Sequence, residues 1–346
     1  MPYNTKSSTD LTKTKSENLH NQLQHGLKLE NMSKSESTRK RYLSAWKLFT
    51  NYCDHYEFRA LPAQFEVIYA FLSYLHDSSQ SENIDLSTSD IEQYSLNSIM
   101  VAKAAIEHFH KTNNFVAPTN HHRIKQLIEG IRRDKSAKTK SSSPICYQDL
   151  MTIIDFIDTE TLVGLRDKSI MLLAFCGGFR PSEIISLNIS DFIIEEQGMK
   201  ITIQKSKTDQ INKGHTLAIP FNADTTYCPI RTLQLWLSRS QISSGAIYRG
   251  FYKGYKKIRT TNLTYQAFYN LVKERLNNAD FSSSLYSPHG FRGGFNTDAA
   301  ASGASLFKMR EITKQSLQTQ QRYIKEVSLF EDNAVESIFS KSKASS

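Results

Sequence analysis

The feature that most constrains this fold is an apolar stretch near the middle of the chain that ends at two glycines. Residues 170–175 form an unbroken apolar run inside a helix that we predict over 162–176. A helix that is apolar on most sides must be covered by other elements. Gly177 and Gly178 then allow the backbone to turn tightly. The second half of the chain is therefore predicted to form a domain that buries this helix.

The remaining elements of this half are also predicted to be mainly helical. Residues 199–204 alternate as a strand does, and 216–220 are the expected hairpin partner across a polar tip. The fold class is thus mainly α with a small antiparallel β-sheet. The other predicted helices cover residues 146–157, 181–187, 229–238, 265–277, 291–302 and 305–312, and a last one carries Tyr323.

The first half predicts a separate, small all-α domain. Residues 1–35 contain few large apolar side chains, so we expect a disordered arm. Helical spacing of apolar residues predicts four helices, which begin near Ser37 and cover 63–75, 95–111 and 120–133. The expected domain limits are 36–136 and 145–328. A Ser-rich basic linker at 137–144 separates them, and an amphipathic tail follows at 329–346.

The charge balance favours a polyanionic partner. Lys plus Arg number 43 and Asp plus Glu number 34, a net charge of +9. Clustered cations gain free energy by releasing the counterions of nucleic acid. A solvated charged surface is the alternative for each cluster taken alone. The residues expected to contact nucleic acid are Arg39, Lys40, Lys103, Arg132, Arg133, Lys138 and Lys140.

Several other classes of protein are disfavoured. No segment has the character of a signal peptide or a membrane span, so we expect a soluble cytoplasmic protein, nucleoid-associated in a prokaryote, with no membrane partner. The four cysteines are scattered without a CxxC pair, which favours reduced thiols. Phosphate-binding loops, His/Cys metal motifs and carboxylate clusters for two-metal chemistry are absent. We therefore expect no metal and no cofactor.

Two arginines stand in surroundings that suit phosphate. Arg180 follows the two glycines, and Glu183 lies one turn later, where it can hold the guanidinium. Arg292 follows His289 by three residues at a predicted helix start, so both side chains point the same way. A guanidinium can donate two parallel hydrogen bonds to phosphate oxygens. An ordinary surface ion pair is the alternative for Arg180 and Glu183.

A proton donor and a nucleophile complete the set of candidates. Lys207 lies at the predicted hairpin, from which an ammonium group can reach into a site. Tyr323 is flanked by Arg322 and Lys325, and cations are what a phenol needs to become a nucleophile. Either residue taken alone is also typical of an ordinary surface.

In order and context, Arg180 with Glu183, Lys207, His289 with Arg292, and Tyr323 resemble the tyrosine recombinase (phage-integrase-like) family. Residues 172–187, LLAFCGGFRPSEIISL, look like its first arginine box, and residues 287–323 look like its second. The resemblance covers roughly residues 37–340. It implies a helical, SAM-like core-binding domain followed by a catalytic domain.

The resemblance also implies a mechanism. The two arginines would clamp the scissile phosphate of double-stranded DNA at a specific site, and Tyr323 would form a 3′-phosphotyrosyl link. Lys207 would protonate the departing 5′ oxygen, His289 would manage the tyrosine proton or support the phosphate, and Glu183 would orient the first arginine or the histidine. The tail would dock on a neighbouring protomer of a homotetramer.

One position departs from the family pattern. Nine residues before the tyrosine the family usually has His or Trp, and here Lys314 stands there. As a cation it can donate a hydrogen bond to a phosphate oxygen, but it is a flexible point charge instead of a packed ring. This departure leaves open a catalytically weakened DNA-binding protein that regulates recombination. A type IB topoisomerase-like relaxation enzyme, which shares the chemistry implied by the resemblance, is the other alternative.

Overall fold

The chain divides into two compact units, Met1–Lys140 and Ser141–Ser346. The computed structural model describes residues 19–26, 29, 33–77, 94–136, 142–204, 214–254 and 257–327. In the expected arm, residues 19–26 are helical with exposed side chains, and most of the rest of the arm lies outside the described residues. The tail at 329–346 and the linker residues 137–141 also lie outside them.

Among the described residues of the first unit, four α-helices cluster around one aromatic and aliphatic core. The helices are α1 (Glu36–His55), α2 (Phe65–His76), α3 (Leu96–Thr112) and α4 (His122–Ser136). Ser35 and Ser95 cap α1 and α3 by accepting hydrogen bonds from the third backbone N–H of the helix. In the core α1 packs against α3, and α2 packs against α3 and α4. The sequence prediction of four helices is confirmed.

A buried histidine joins two parts of this core. The Nε2 atom of His110 accepts a hydrogen bond from the Ala63 N–H at 2.9 Å, and its Nδ1 lies 2.8 Å from the Ile106 carbonyl. One nitrogen therefore accepts while the other donates, which is the pattern of a neutral imidazole. The role of this histidine is structural, since it fastens the entry to α2 against α3.

The second unit is built around the helix that the apolar run predicts. Helix α6 (Leu162–Cys176) is buried over 11 of its 15 residues, and Thr161 caps its start. The other helices of the unit pack around it directly or through one another. They are α5 (Tyr147–Asp155), α7 (Pro181–Ser186), α8 (Pro229–Ser240), α9 (Tyr265–Asn278), α10 (Gly290–Ala301), α11 (Leu306–Thr313) and α12 (Leu317–Val327).

In the part of the chain that the structure describes, five short strands form two antiparallel sheets. The first has the order β1 (Phe192–Glu195), β2 (Gly198–Ile203) and β3 (His215–Pro220), with Met199 opposite Ile219 and Ile203 opposite His215. The second pairs β4 (Arg249–Phe251) with β5 (Ile258–Asn262). The predicted hairpin of β2 and β3 is confirmed. Strands β1, β4 and β5 were not predicted, because they are short and mostly half-buried or exposed.

Two glycines near Arg292 on α10 allow close approach of another segment. A β carbon on Gly294 would lie 1.8 Å from the carbonyl oxygen of Ile145, and one on Gly290 would lie 2.8 Å from that of Ser143. The Ile145 N–H donates to the Gly290 carbonyl at 3.0 Å. The segment that enters the second unit is therefore fastened along the start of α10, where Arg292 lies.

Two further predictions concern disulfide bonds and membrane-spanning helices. All four cysteines are free thiols, as expected. Within the described ranges, no helix is both long enough and apolar enough to cross a membrane.

Candidate active site

Arg180 and Glu183 form a fixed pair at the start of α7. The Arg180 backbone N–H donates to one carboxylate oxygen of Glu183 at 2.8 Å, and its Nη1 donates to the other at 2.6 Å. The Glu183 side chain is 4% exposed and that of Arg180 is 17% exposed. The alternative of an ordinary surface ion pair does not fit this burial. The pair instead holds a guanidinium that is partly open to solvent.

Arg292 approaches the same carboxylate. Its Nη1 is 4.0 Å from Oε2 of Glu183, and its side chain is only 2% exposed. Nη1 also donates to the Gly178 carbonyl at 2.5 Å, and Nη2 donates to the carbonyl of Thr313. Burial first, and then the charge of Arg180, lowers the pKa of Arg292 to about 10. Arg292 is therefore still a cation at neutral pH.

Gly178 makes room for this arrangement. It has φ +52°, and a β carbon there would lie 2.9 Å from the Thr313 side chain and 3.0 Å from the ring of Phe295. A side chain at this position would push α10 and α11 away from the turn that ends α6. The second glycine of the pair is thus required to bring its own carbonyl to Arg292.

His289 stands immediately before α10, within electrostatic reach of both arginines. The pKa of His289 is lowered by partial burial, and then by the positive charges of Arg292 and Arg180, while Glu183 acts in the opposite direction. The imidazole is therefore mostly neutral at pH 7. A neutral ring can accept a proton, which a protonated one cannot.

Tyr323 lies on α12, near Arg292. This helix packs against α10 and α11. The Tyr323 hydroxyl lies 4.0 Å from where a β carbon of Gly293 would stand, and the phenol acts electrostatically on Arg292. Gln320, buried one turn earlier, donates to Oγ1 of Thr313 at 2.9 Å. The helix that carries the phenol is thus tied to the residue whose carbonyl holds Arg292.

Lys314 follows the last residue of α11 in a left-handed conformation with φ +50°, and its backbone N–H donates to the Arg310 carbonyl. Its side chain is exposed.

The structure brings together five catalytic candidates and places Lys314 at the end of the helix beside them. The remaining catalytic candidate, Lys207, lies outside the described residues. No group of three or more potential metal ligands occurs in the parts of the chain that the structure describes.

The candidate DNA-contacting residues lie in the first unit or in the linker. Arg39 and Lys40 are exposed on α1, where Lys40 pairs with Glu36 at 2.7 Å. Arg132 and Arg133 are exposed on α4 and share Glu129. Lys103 is half-buried on α3, and Lys138 and Lys140 lie outside the described residues. These ion pairs are exposed, so DNA phosphates can replace their carboxylates at small cost.

Sequence reasoning missed the backbone acceptors of Arg292 and one more histidine. The Gly178 and Thr313 carbonyls have no signature in a sequence. His215, at the start of β3, lies within electrostatic reach of Lys314, Glu183 and Arg180. Its place directly after the predicted hairpin tip was the one available signal.

The chain is similar in sequence to a family of known proteins. The model of the phage integrase family matches residues 146–327. An integrase/recombinase XerD homolog of Selenomonas ruminantium is 30% identical over 310 residues, which cover 89% of this chain and 87% of that protein. The tyrosine recombinase XerC of Myxococcus xanthus is 27% identical over 205 residues, 55% of this chain and 60% of that protein.

Solved structures share the fold at low sequence identity. A lambda integrase dimer bound to a COC′ core site matches with a TM-score of 0.53 and 16% identity, over 92% of this chain and 81% of that one. The Tn1549 transposon integrase in complex with transposon right end DNA matches with a TM-score of 0.51 and 13% identity, over 81% of this chain and 85% of that one. The chain belongs to the phage integrase family.

Proposed function

We propose that this protein is a site-specific tyrosine recombinase that cuts and rejoins double-stranded DNA through a 3′-phosphotyrosyl intermediate. The observation that carries the proposal is the pair of guanidinium groups on the buried carboxylate of Glu183, with the Tyr323 hydroxyl beside the same helix as Arg292. Family membership supports the same conclusion, and the relatives and structural neighbours named above are described as recombinases or integrases. None of these observations favours a relaxation enzyme or a non-catalytic regulator.

Arg180 and Arg292 would bind the non-bridging oxygens of the scissile phosphate. Glu183 holds Arg180 in one orientation, and two backbone carbonyls hold Arg292. Groups held in this way need little reorganisation when negative charge develops at phosphorus. Arg180 is the more exposed of the two and would make the more accessible contact.

Tyr323 would attack phosphorus, and the bond from phosphorus to the 5′ oxygen would break. His289 would accept the phenol proton, and Lys207 would give a proton to the departing oxygen. The phosphodiester bond energy is kept in the phosphotyrosyl link, so a 5′ hydroxyl of another strand can attack and release the tyrosine. Neither ATP nor a metal takes part. Lys314 would add a positive charge beside the phosphate.

DNA would also contact the first unit and the linker. We propose that the exposed cations of α1 and α4, Lys103 and the basic linker contact the duplex, and that residues 329–346 dock on a neighbouring copy in a tetramer. Because the substrate is DNA, we expect the enzyme to act in the cytoplasm.

A nicked suicide substrate tests the proposal directly. The enzyme is expected to form a covalent protein–DNA adduct in EDTA, because the mechanism uses side-chain cations instead of metal ions. Gel separation under denaturing conditions measures the adduct. Cleavage that stops on chelation and resumes with Mg²⁺, without any covalent adduct, would contradict the proposal.

Cleavage should weaken in acid because His289 must be neutral to accept the phenol proton. Since the pKa of His289 is lowered from its ordinary value of 6.5, kcat/KM should be level near pH 7 and fall about tenfold per pH unit once the pH drops below that pKa. His289→Gln should be about 10²-fold slower or worse and should lose this acid limb. DNA affinity measured at each pH serves as the control. An unchanged acid limb in His289→Gln would assign the titration to another group.

A further inference from the structure

His215 has a buried ring nitrogen whose hydrogen-bonding capacity is not used within the described residues. Its Nε2 is shielded from solvent and has no partner there, although the residue opens β3 at the edge of the site. Strand β3 packs against α11, the helix that ends at Lys314. A buried nitrogen without a partner costs free energy, so such an atom is expected to serve a function.

The surroundings of His215 favour a neutral ring, in which one of the two nitrogens is a hydrogen-bond acceptor. Burial first, and then the charge of Lys314, lowers the pKa of the imidazole; Glu183 raises it and Arg180 lowers it. The backbone carbonyl of Ile312 also interacts with the ring and favours its protonated form. Because a carbonyl accepts only from an N–H, it favours the tautomer with the proton on the nitrogen with which it interacts.

The two cations near His215, Arg180 and Lys314, differ in how firmly their side chains are held in place. Arg180 donates to Glu183 at 2.6 Å. Lys314 has an exposed side chain at the end of a helix, and a lysine ammonium on four methylene groups loses much rotamer freedom when it is held in one place. A neutral imidazole on the neighbouring strand can hold it there by accepting one of its three N–H groups.

We propose that His215 is a positioning residue whose Nε2 accepts a hydrogen bond from the Lys314 ammonium and holds that cation at the scissile phosphate. The inference rests on the proposed function, since it concerns the geometry of the same site. His215 itself does not touch DNA. It acts through Lys314, and its substitution should therefore matter only while Lys314 is present.

A double-mutant cycle tests this coupling. The variants are His215→Phe, which keeps a ring and removes both nitrogens, Lys314→Ala, and the two combined. The readout is the single-turnover rate of adduct formation at saturating DNA. Each single variant should slow the rate about tenfold, as the loss of a charge-assisted hydrogen bond does. The double variant should be no slower than Lys314→Ala alone, and DNA affinity should be unchanged.

Matched variants separate positioning from a structural role. Thr216 lies on the opposite face of β3, so Thr216→Val should leave the rate unchanged. His215→Gln keeps a hydrogen-bond acceptor. Adding Lys314→Ala to His215→Gln should therefore still slow adduct formation about tenfold.

Two results would overturn the proposal. The first is a double variant that forms the adduct about a hundredfold more slowly than wild type. The second is a rate in His215→Gln that does not fall further when Lys314→Ala is added. The second comparison decides the question if His215→Phe fails to fold. A wild-type enzyme that forms no adduct would instead refute the proposed function.

Discussion

Tyr323→Phe is expected to abolish the covalent protein–DNA adduct and to leave DNA binding intact. The substitution removes one oxygen atom and keeps the aromatic ring, so α12 should stay in place. Loss of the attacking group in an enzyme with a covalent intermediate costs on the order of 10⁶-fold, which takes the rate below detection. The measurement is adduct formation on a nicked suicide substrate, with affinity measured in parallel by gel shift.

Tyr265→Phe is the matched control, because Tyr265 is an exposed tyrosine on α9. Its adduct should form at the wild-type rate. An adduct that persists in Tyr323→Phe would mean that a different residue attacks phosphorus, and peptide mapping of the adduct would identify it.

Arg180→Ala is expected to give the largest loss among the groups that bind the phosphate. Removal of one preorganised donor to a developing oxyanion costs about 10²- to 10³-fold in rate, and Arg180 supplies a guanidinium fork. Arg180→Lys should recover only part of the loss, because an ammonium keeps the charge without the fork. The measurement is the single-turnover cleavage rate at saturating DNA.

Arg239→Ala is the control for a general effect of removing an arginine. Arg239 is exposed and donates to the carbonyls of Thr159 and Glu160, neither of which is a candidate site residue. Its substitution should leave cleavage within about twofold of wild type, as for a surface change remote from the site. Equal losses in Arg180→Ala and Arg239→Ala would refute the assigned role of Arg180.

The helices could be predicted because their signals are local. The apolar run at 170–175 predicts a buried helix, and α6 is indeed covered over most of its length. Strand signals are weaker when a strand is short and partly exposed. Strand β1 has four residues and β4 has three, so neither shows enough alternation to be recognised.

The candidate site could be predicted only as a set of residues. Arg180, Glu183, His289, Arg292 and Tyr323 stand out by type, order and spacing, and the structure brings them together. Their environments could not be predicted. Arg292 was expected to bind phosphate from a helix start, but nothing in the sequence shows that its side chain is almost completely buried.

By itself, the sequence determined the mainly helical fold, the residues of the candidate site and the family to which the protein belongs. These depend on the spacing of apolar residues, on capping residues and on the order of motifs, all of which are local properties of the chain. Only the tertiary structure decided how the site is held. The Arg292 guanidinium is fixed by a carbonyl 114 positions earlier in the chain and another 21 positions later. The packing of β3 against α11 places His215, whose Nε2 is shielded from solvent, within electrostatic reach of Lys314. Backbone carbonyls are the same in every residue, so their roles depend on which segments the folded chain brings together.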